Sequence, residues 1–144
     1  MKIFIGCDHA AFDEKNLVTE YLKSKEIEVE DCGPFVNERC DYPDFASKVA
    51  INVKEGNGIG ILLCGSGIGV SMVANRYKKV RAALCRTPQD AELSREHNDS
   101  NILCVGARIN TIEEVKKMID VWLSTDFAGG RHSDRIAKFT DLGV

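Results

Sequence analysis

The sequence predicts an α/β fold, a single domain over residues 1–144 built on a doubly wound sheet of five parallel strands flanked by helices. Two observations predict it. Five short apolar runs alternate, end to end, with segments whose apolar residues recur at helical spacing. No linker, internal repeat or low-complexity stretch interrupts that alternation. Parallel strands joined by helices must bury both faces of the sheet, and such a sheet gathers ligands at the carboxyl ends of its strands.

Each element has its own justification. Lys2–Gly6 (KIFIG) is the first strand, and Ala11, Val18 and Leu22, with Leu17 and Tyr21 beside them, form the stripe of the helix that follows. Ile27–Asp31 (IEVED) alternates apolar and acidic residues, as a half-exposed strand near a sheet edge does. Pro43 sets a helix start, with Phe45, Ala46, Val49, Ala50 and Val53 on one face. Ile59–Cys64 is the third strand; a glycine-rich turn then opens a helix running to about Asn75. Val80–Cys85 is the fourth strand, and Thr87-Pro88 supplies an N-cap and a first helical residue for the next helix. Asn101–Gly106 is the fifth. Thr111 and Glu114 form a capping box ahead of the stripe Val115, Met118, Ile119, Trp122 and Leu123. Gly129-Gly130 precedes a last short helix bearing Arg131, Arg135, Ile136 and Phe139.

Bulk properties exclude several classes of function. A net charge of −3 supplies no field to attract nucleic acid or an anionic membrane, so an anionic substrate needs a local cationic cluster. No apolar run approaches the ~18–20 residues that span a bilayer. Met1-Lys2 leads directly into a strand with no signal-peptide pattern, which points to the cytoplasm. The six cysteines contain no Cys-x-x-Cys pair, and most sit where cysteine acts as a small buried hydrophobe.

Polar residues collect after the strand ends. Asp8 and His9 follow the first strand, Cys64–Ser71 the third and Arg108 the fifth, while His97, Asn98 and Asp99 end the helix before the fifth. The expectation is that these four segments converge on one rim. Each also has a reading without catalysis: Asp8 as a helix cap, His9 as a capping or core residue, His97 as an imidazole steadied by a helix dipole. Arg131 and Arg135 lie one turn apart, as a bidentate phosphate clamp or as a solvated face.

The centre of the pattern is Cys64-Gly65-Ser66-Gly67-Ile68-Gly69. A glycine turn opening a helix presents backbone N–H groups to an anion and lowers the pKa of a neighbouring thiol. It is not a dinucleotide fingerprint, because the spacing is Gly-x-Gly-x-Gly and it follows the third strand. It lacks the Gly-Lys-Ser/Thr ending of a nucleotide P-loop, and Val70 stands where a cysteine phosphatase loop has arginine. The loop therefore suits an oxygen-rich or charged small molecule, held by none of those three mechanisms.

Six segments, in order and spanning the chain, resemble the type B ribose-5-phosphate isomerases, a family that includes galactose-6-phosphate and allose-6-phosphate isomerases. They are Gly6–Ala10, Asp41–Asp44, Leu63–Gly69, Ser94–Asp99, Val105–Arg108 and Gly129–His132. The resemblance implies a Rossmann-like sheet, aldose–ketose isomerisation of a sugar phosphate without metal or cofactor, and a homodimer or tetramer with active sites at the subunit interface. It implies that Cys64 is the base that moves a proton between C1 and C2, that His97 opens the furanose ring, and that Asp8 and His9 bind substrate. Gly65, Ser66, Gly67, Ile68 and Gly69 surround the reacting carbons, with the Ser66 hydroxyl assisting, while Asn98, Arg108, Arg131 and Arg135 complete the contacts. Ser66 departs from the threonine of many members but keeps the hydroxyl. Members that use a nearby glutamate as base carry a small residue at the Cys64 position; Val70–Ala74 offers no carboxylate, which favours cysteine. The alternatives are a hexose-6-phosphate isomerase, or a phosphate-sensing module in which Cys64 is only a buried strand end.

Overall fold

Alternate residues along the central strands feed two separate cores, one on each face of the sheet. A computed structural model describes residues 1–144. The strands are β1 (Lys2–Cys7), β2 (Glu28–Asp31), β3 (Ile59–Cys64), β4 (Ala82–Leu84) and β5 (Ile102–Gly106). They form one sheet in the order β2-β1-β3-β5-β4, every neighbouring pair parallel. The helices are α1 (Phe12–Ser24), α2 (Tyr42–Lys54), α3 (Ile68–Ala74), α4 (Pro88–Glu96), α5 (Ile112–Ser124) and α6 (Arg131–Ala137). This is the doubly wound α/β sheet expected, and no helix is long and apolar enough to cross a membrane.

The strand order explains which helix covers which face. A crossover between parallel strands is right-handed, so the direction of each step along the sheet selects the face that receives the helix. The steps β1 to β2 and β4 to β5 run one way and place α1 and α4 on the first face. Val18, Leu22 and Ala91 there pack with Ile3, Ile5, Ile61, Leu63, Leu103 and Val105, and α5 joins them through Val115, Met118, Ile119 and Trp122. The steps β2 to β3 and β3 to β4 run the other way and place α2 and α3 on the second face. Ala46, Val49, Ala50, Val53, Val70 and Ala74 there meet Phe4, Leu62, Cys64, Ile102 and Cys104.

Local signals held where they were strongest. Thr87 Oγ1 accepts from the Asp90 N–H, and the capping box of Thr111 and Glu114 is complete. β2 is an edge strand, half-exposed as its alternation predicts. Several boundaries differ, three of them for a visible local reason. A 3₁₀ turn, His9–Ala11, precedes α1 because Asp8 caps it. β2 starts at Glu28, after Glu26 closes the α1 turn at positive φ. β4 keeps only three of its six expected residues: it is the other edge and pairs with β5 alone, and the Arg81 N–H is drawn to the Asn101 side chain.

Candidate active site

The loop leaving β3 is built by turning its carbonyls inward. Cys64 ends β3 opposite Gly106 of β5. Its carbonyl accepts from the Ala107 N–H at 2.9 Å, that of Gly65 from the Arg108 N–H at 3.0 Å, and that of Ser66 from Arg86 Nη1 at 2.6 Å. The N–H groups are thereby freed for other work. Gly67 N–H donates to Cys64 Sγ at 3.1 Å and Ile68 N–H to Ser66 Oγ at 3.2 Å. Those of Gly65 and Ser66 donate to nothing in the chain, and both residues line an open cleft of about 640 Å³. Gly67 must be glycine: its φ is 78°, and a Cβ there would lie 2.7 Å from Leu84 Cδ1 and 2.8 Å from the Val105 carbonyl carbon.

Three further strand or helix ends wall the cleft. Asp8, 9 % exposed, follows β1 and accepts from the Ala10 N–H at 2.9 Å, so it caps the turn that holds His9. His9 Nδ1 lies 3.2 Å from both the backbone nitrogen and the carbonyl oxygen of Cys40, and its Nε2 has no partner in the chain. Tyr42, at the start of α2, lies against Gly69, where a Cβ would come within 2.6 Å of its ring. Arg108 follows β5, packs over Gly65 and pairs with no carboxylate, leaving its guanidinium for an anion. Ile68, Met72 and Ile109 form an apolar rim 41 %, 65 % and 55 % exposed.

The other thiols are chemically quiet. Burial pushes Cys7 up to about 12, Cys32 and Cys85 up to about 11, and Cys104 well above the ordinary thiol range. All six cysteines are free, five of them buried, and Cys40 is half-exposed. No three His, Cys, Asp or Glu side chains are grouped as a metal centre needs.

The four polar segments do not converge on one rim. Asp8, His9, the Cys64 loop and Arg108 share the cleft, but His97 and Asn98 lie at the other end of the sheet. They precede β5, whereas the cleft follows it, and five strand residues span about 17 Å. Asn98 instead lines a second cavity of about 500 Å³ with Arg81, Ala82, Ser100 and Phe139. Arg131 and Arg135 join that second cluster. The Ala128 N–H bonds to the Glu96 carbonyl at 3.0 Å and docks the chain before α6 onto the end of α4, and His97 and His132 stack with ring centroids 4.5 Å apart. Gly129 and Gly130, at φ 68° and 59°, make the bend that allows this. Asp99 holds the turn by accepting from Arg95 Nη1 at 2.8 Å and Arg81 Nη2 at 3.3 Å. Partial burial, then the charges of His97, Arg131 and Arg135, depress the pKa of His132.

Comparison with known proteins shows the family of the chain that carries these two clusters. The family model for ribose/galactose isomerases matches residues 3–139. The chain belongs to the ribose/galactose isomerase family. It is 43% identical over 142 residues to ribose-5-phosphate isomerase B of Escherichia coli, covering 98% of this chain and 95% of that one. It superposes on a ribose 5-phosphate isomerase from Thermotoga maritima with TM-score 0.94 and 48% identity, covering 96% and 97% of the two chains. It superposes also on ribose-5-phosphate isomerase B of Mycoplasma genitalium with bound ribulose-5-phosphate, with TM-score 0.92, 44% identity and coverage of 95% and 92%.

Within this member of the ribose/galactose isomerase family, the structure adds residues that sequence reasoning missed. His132 stands beside His97, and its place straight after Gly129-Gly130-Arg131 was the available signal. Met72 and Ile109 rim the cleft and Arg86 braces its loop, but nothing in their own segments marks them.

Proposed function

We propose that this protein interconverts ribose 5-phosphate and ribulose 5-phosphate, with Cys64 as the proton-transferring base. The observation that carries the reading is the Cys64 thiol at a strand end, facing the Gly67 N–H and bordered by the unengaged N–H groups of Gly65 and Ser66. In the open-chain aldose, the thiolate removes the C2 proton and returns it to C1, while a second proton passes from O2 to O1. The balance requires no electron acceptor. The charge that develops on O1 and O2 in the enediolate meets the unengaged N–H groups of Gly65 and Ser66 and the Ser66 hydroxyl. Each such donor is typically worth about 2.7–4 kcal/mol in the transition state. His97 protonates the ring oxygen to open the furanose, Asp8, His9 and Asn98 orient the hydroxyls, and Arg108, Arg131 and Arg135 hold the phosphate.

Two copies of the chain supply one site. The sheet separates His97, Asn98, Arg131 and Arg135 from Cys64, so the second set reaches the cleft of a partner rather than its own. The exposed apolar rim of Ile68, Met72 and Ile109 is surface that a second copy buries favourably.

Cys64→Ala tests the assignment. It is expected to lower kcat by roughly 10²–10⁴ while ribose 5-phosphate still binds in calorimetry. Near-wild-type turnover would overturn it. Allose and galactose 6-phosphates assayed alongside read the sugar preference, and faster turnover of either would replace the pentose assignment.

A further inference from the structure

We propose that Arg86 is a positioning residue for the Cys64 thiol, acting through the peptide between Ser66 and Gly67. That peptide is gripped from both ends. Its carbonyl accepts from Arg86 Nη1 at 2.6 Å, and its N–H donates to Cys64 Sγ at 3.1 Å. Carbonyl and N–H of a trans peptide point in opposite directions, so a donor fixed on one side aims the N–H on the other. A cationic donor also polarises the amide and strengthens its N–H, and an N–H directed at sulfur favours the thiolate over the thiol.

The surroundings fit this role and no competing one. The Arg86 guanidinium forms no ion pair with a carboxylate, and it stands outside the cleft wall, behind the loop. Its backbone is clamped: the N–H donates to Asp90 Oδ2 at 3.0 Å, and the carbonyl accepts from Asn110 Nδ2 at 3.0 Å. Gly106 opens the path between them. A Cβ there would lie 2.7 Å from the Ser66 carbonyl oxygen and 2.9 Å from Arg86 Nη1. The ionisable groups around Cys64 are Asp8 and His9 after β1, Tyr42 on α2, Arg108 after β5 and Cys104 on β5. None of them bonds to the Ser66–Gly67 peptide, so Arg86 alone braces it with charge.

The inference rests on Cys64 as the base, and alkylation separates the two claims because it reads the thiol without turnover. The pH dependence of iodoacetamide labelling at Cys64, followed by peptide mass spectrometry, is measured beside kcat and KM for ribose 5-phosphate. Arg86→Met is expected to raise the labelling midpoint by about one pH unit and lower kcat about tenfold at unchanged KM. Arg86→Lys, which keeps a cationic donor, recovers most of both. An unchanged midpoint in Arg86→Met overturns the proposal, and so does a rise in KM alone, which would make Arg86 a substrate contact. If Arg86→Met does not fold, Arg86→Gln decides by labelling alone: an upward shift supports the proposal and an unmoved midpoint overturns it.

Discussion

Lys15 puts an ammonium group with no exposed surface where the α1 stripe of Ala11, Val18 and Leu22 calls for an apolar side chain. It survives there because its Nζ donates to Asp31 Oδ1 at 2.9 Å and to the Pro34 carbonyl at 2.6 Å, with the rings of Phe12 and Phe35 beside it. Asp31 in turn accepts from the Gly33 N–H at 2.8 Å, so one lysine ties α1 to the chain that leads on to Cys40, the partner of His9. Removing one member of a buried pair is costly, and Asp31 is 26 % exposed, so the lower end of the usual range applies. Lys15→Ala is expected to reduce the unfolding free energy by about 3 kcal/mol, read from urea denaturation. A loss near zero would show that water replaces the ammonium. Lys15 was invisible in the sequence because a periodicity argument assigns charged residues to solvent, and only a partner distant in the chain reverses that. The place of Cys64 in the cleft was legible because its own neighbours carry the signal: a buried strand before it and three glycines after it.

At the scale of elements, α6 is seven residues with no buried side chain, held by its junction with α4 and by the His97–His132 stack. An exposed helix with Arg131, His132 and Arg135 on it is a cationic surface that needs an anion. His132 is depressed below the ordinary imidazole range, so it gives up its proton at a lower pH than a free histidine. Phosphate among these groups offsets the two guanidinium charges and must raise that midpoint, and by linkage it binds more tightly as pH falls between the free and bound midpoints. Imidazole shifts followed by nuclear magnetic resonance, with and without inorganic phosphate, measure this directly. A midpoint that stays put would remove α6 from the phosphate site. The sequence placed His97 on the wrong rim, although the corrective signal was present. His97 follows a helix and precedes a strand, and in a parallel sheet that order belongs to the end opposite the cleft.

At the scale of the whole molecule, the alternation of runs and stripes was sufficient to read the sheet, its edge strand β2 and both strong helix caps. The order β2-β1-β3-β5-β4 was not legible, since pairing between strands depends on contacts far apart in the chain. A two-copy site makes a sharp prediction. Cys64→Ala and His97→Asn, each inactive alone, should recover about a quarter of wild-type activity once subunits have exchanged, because half the dimers are mixed and each holds one intact site. No recovery after proven exchange would place all catalytic groups within one chain. A site shared in this way would set the kinetic order of the enzyme. On the proposed two-copy site, each chain carries the sulfur half of one site and the imidazole half of another, and a lone copy is catalytically silent. Once the protein is dilute enough for copies to part, output follows the square of chain concentration, and a modest fall in abundance removes a disproportionate share of flux.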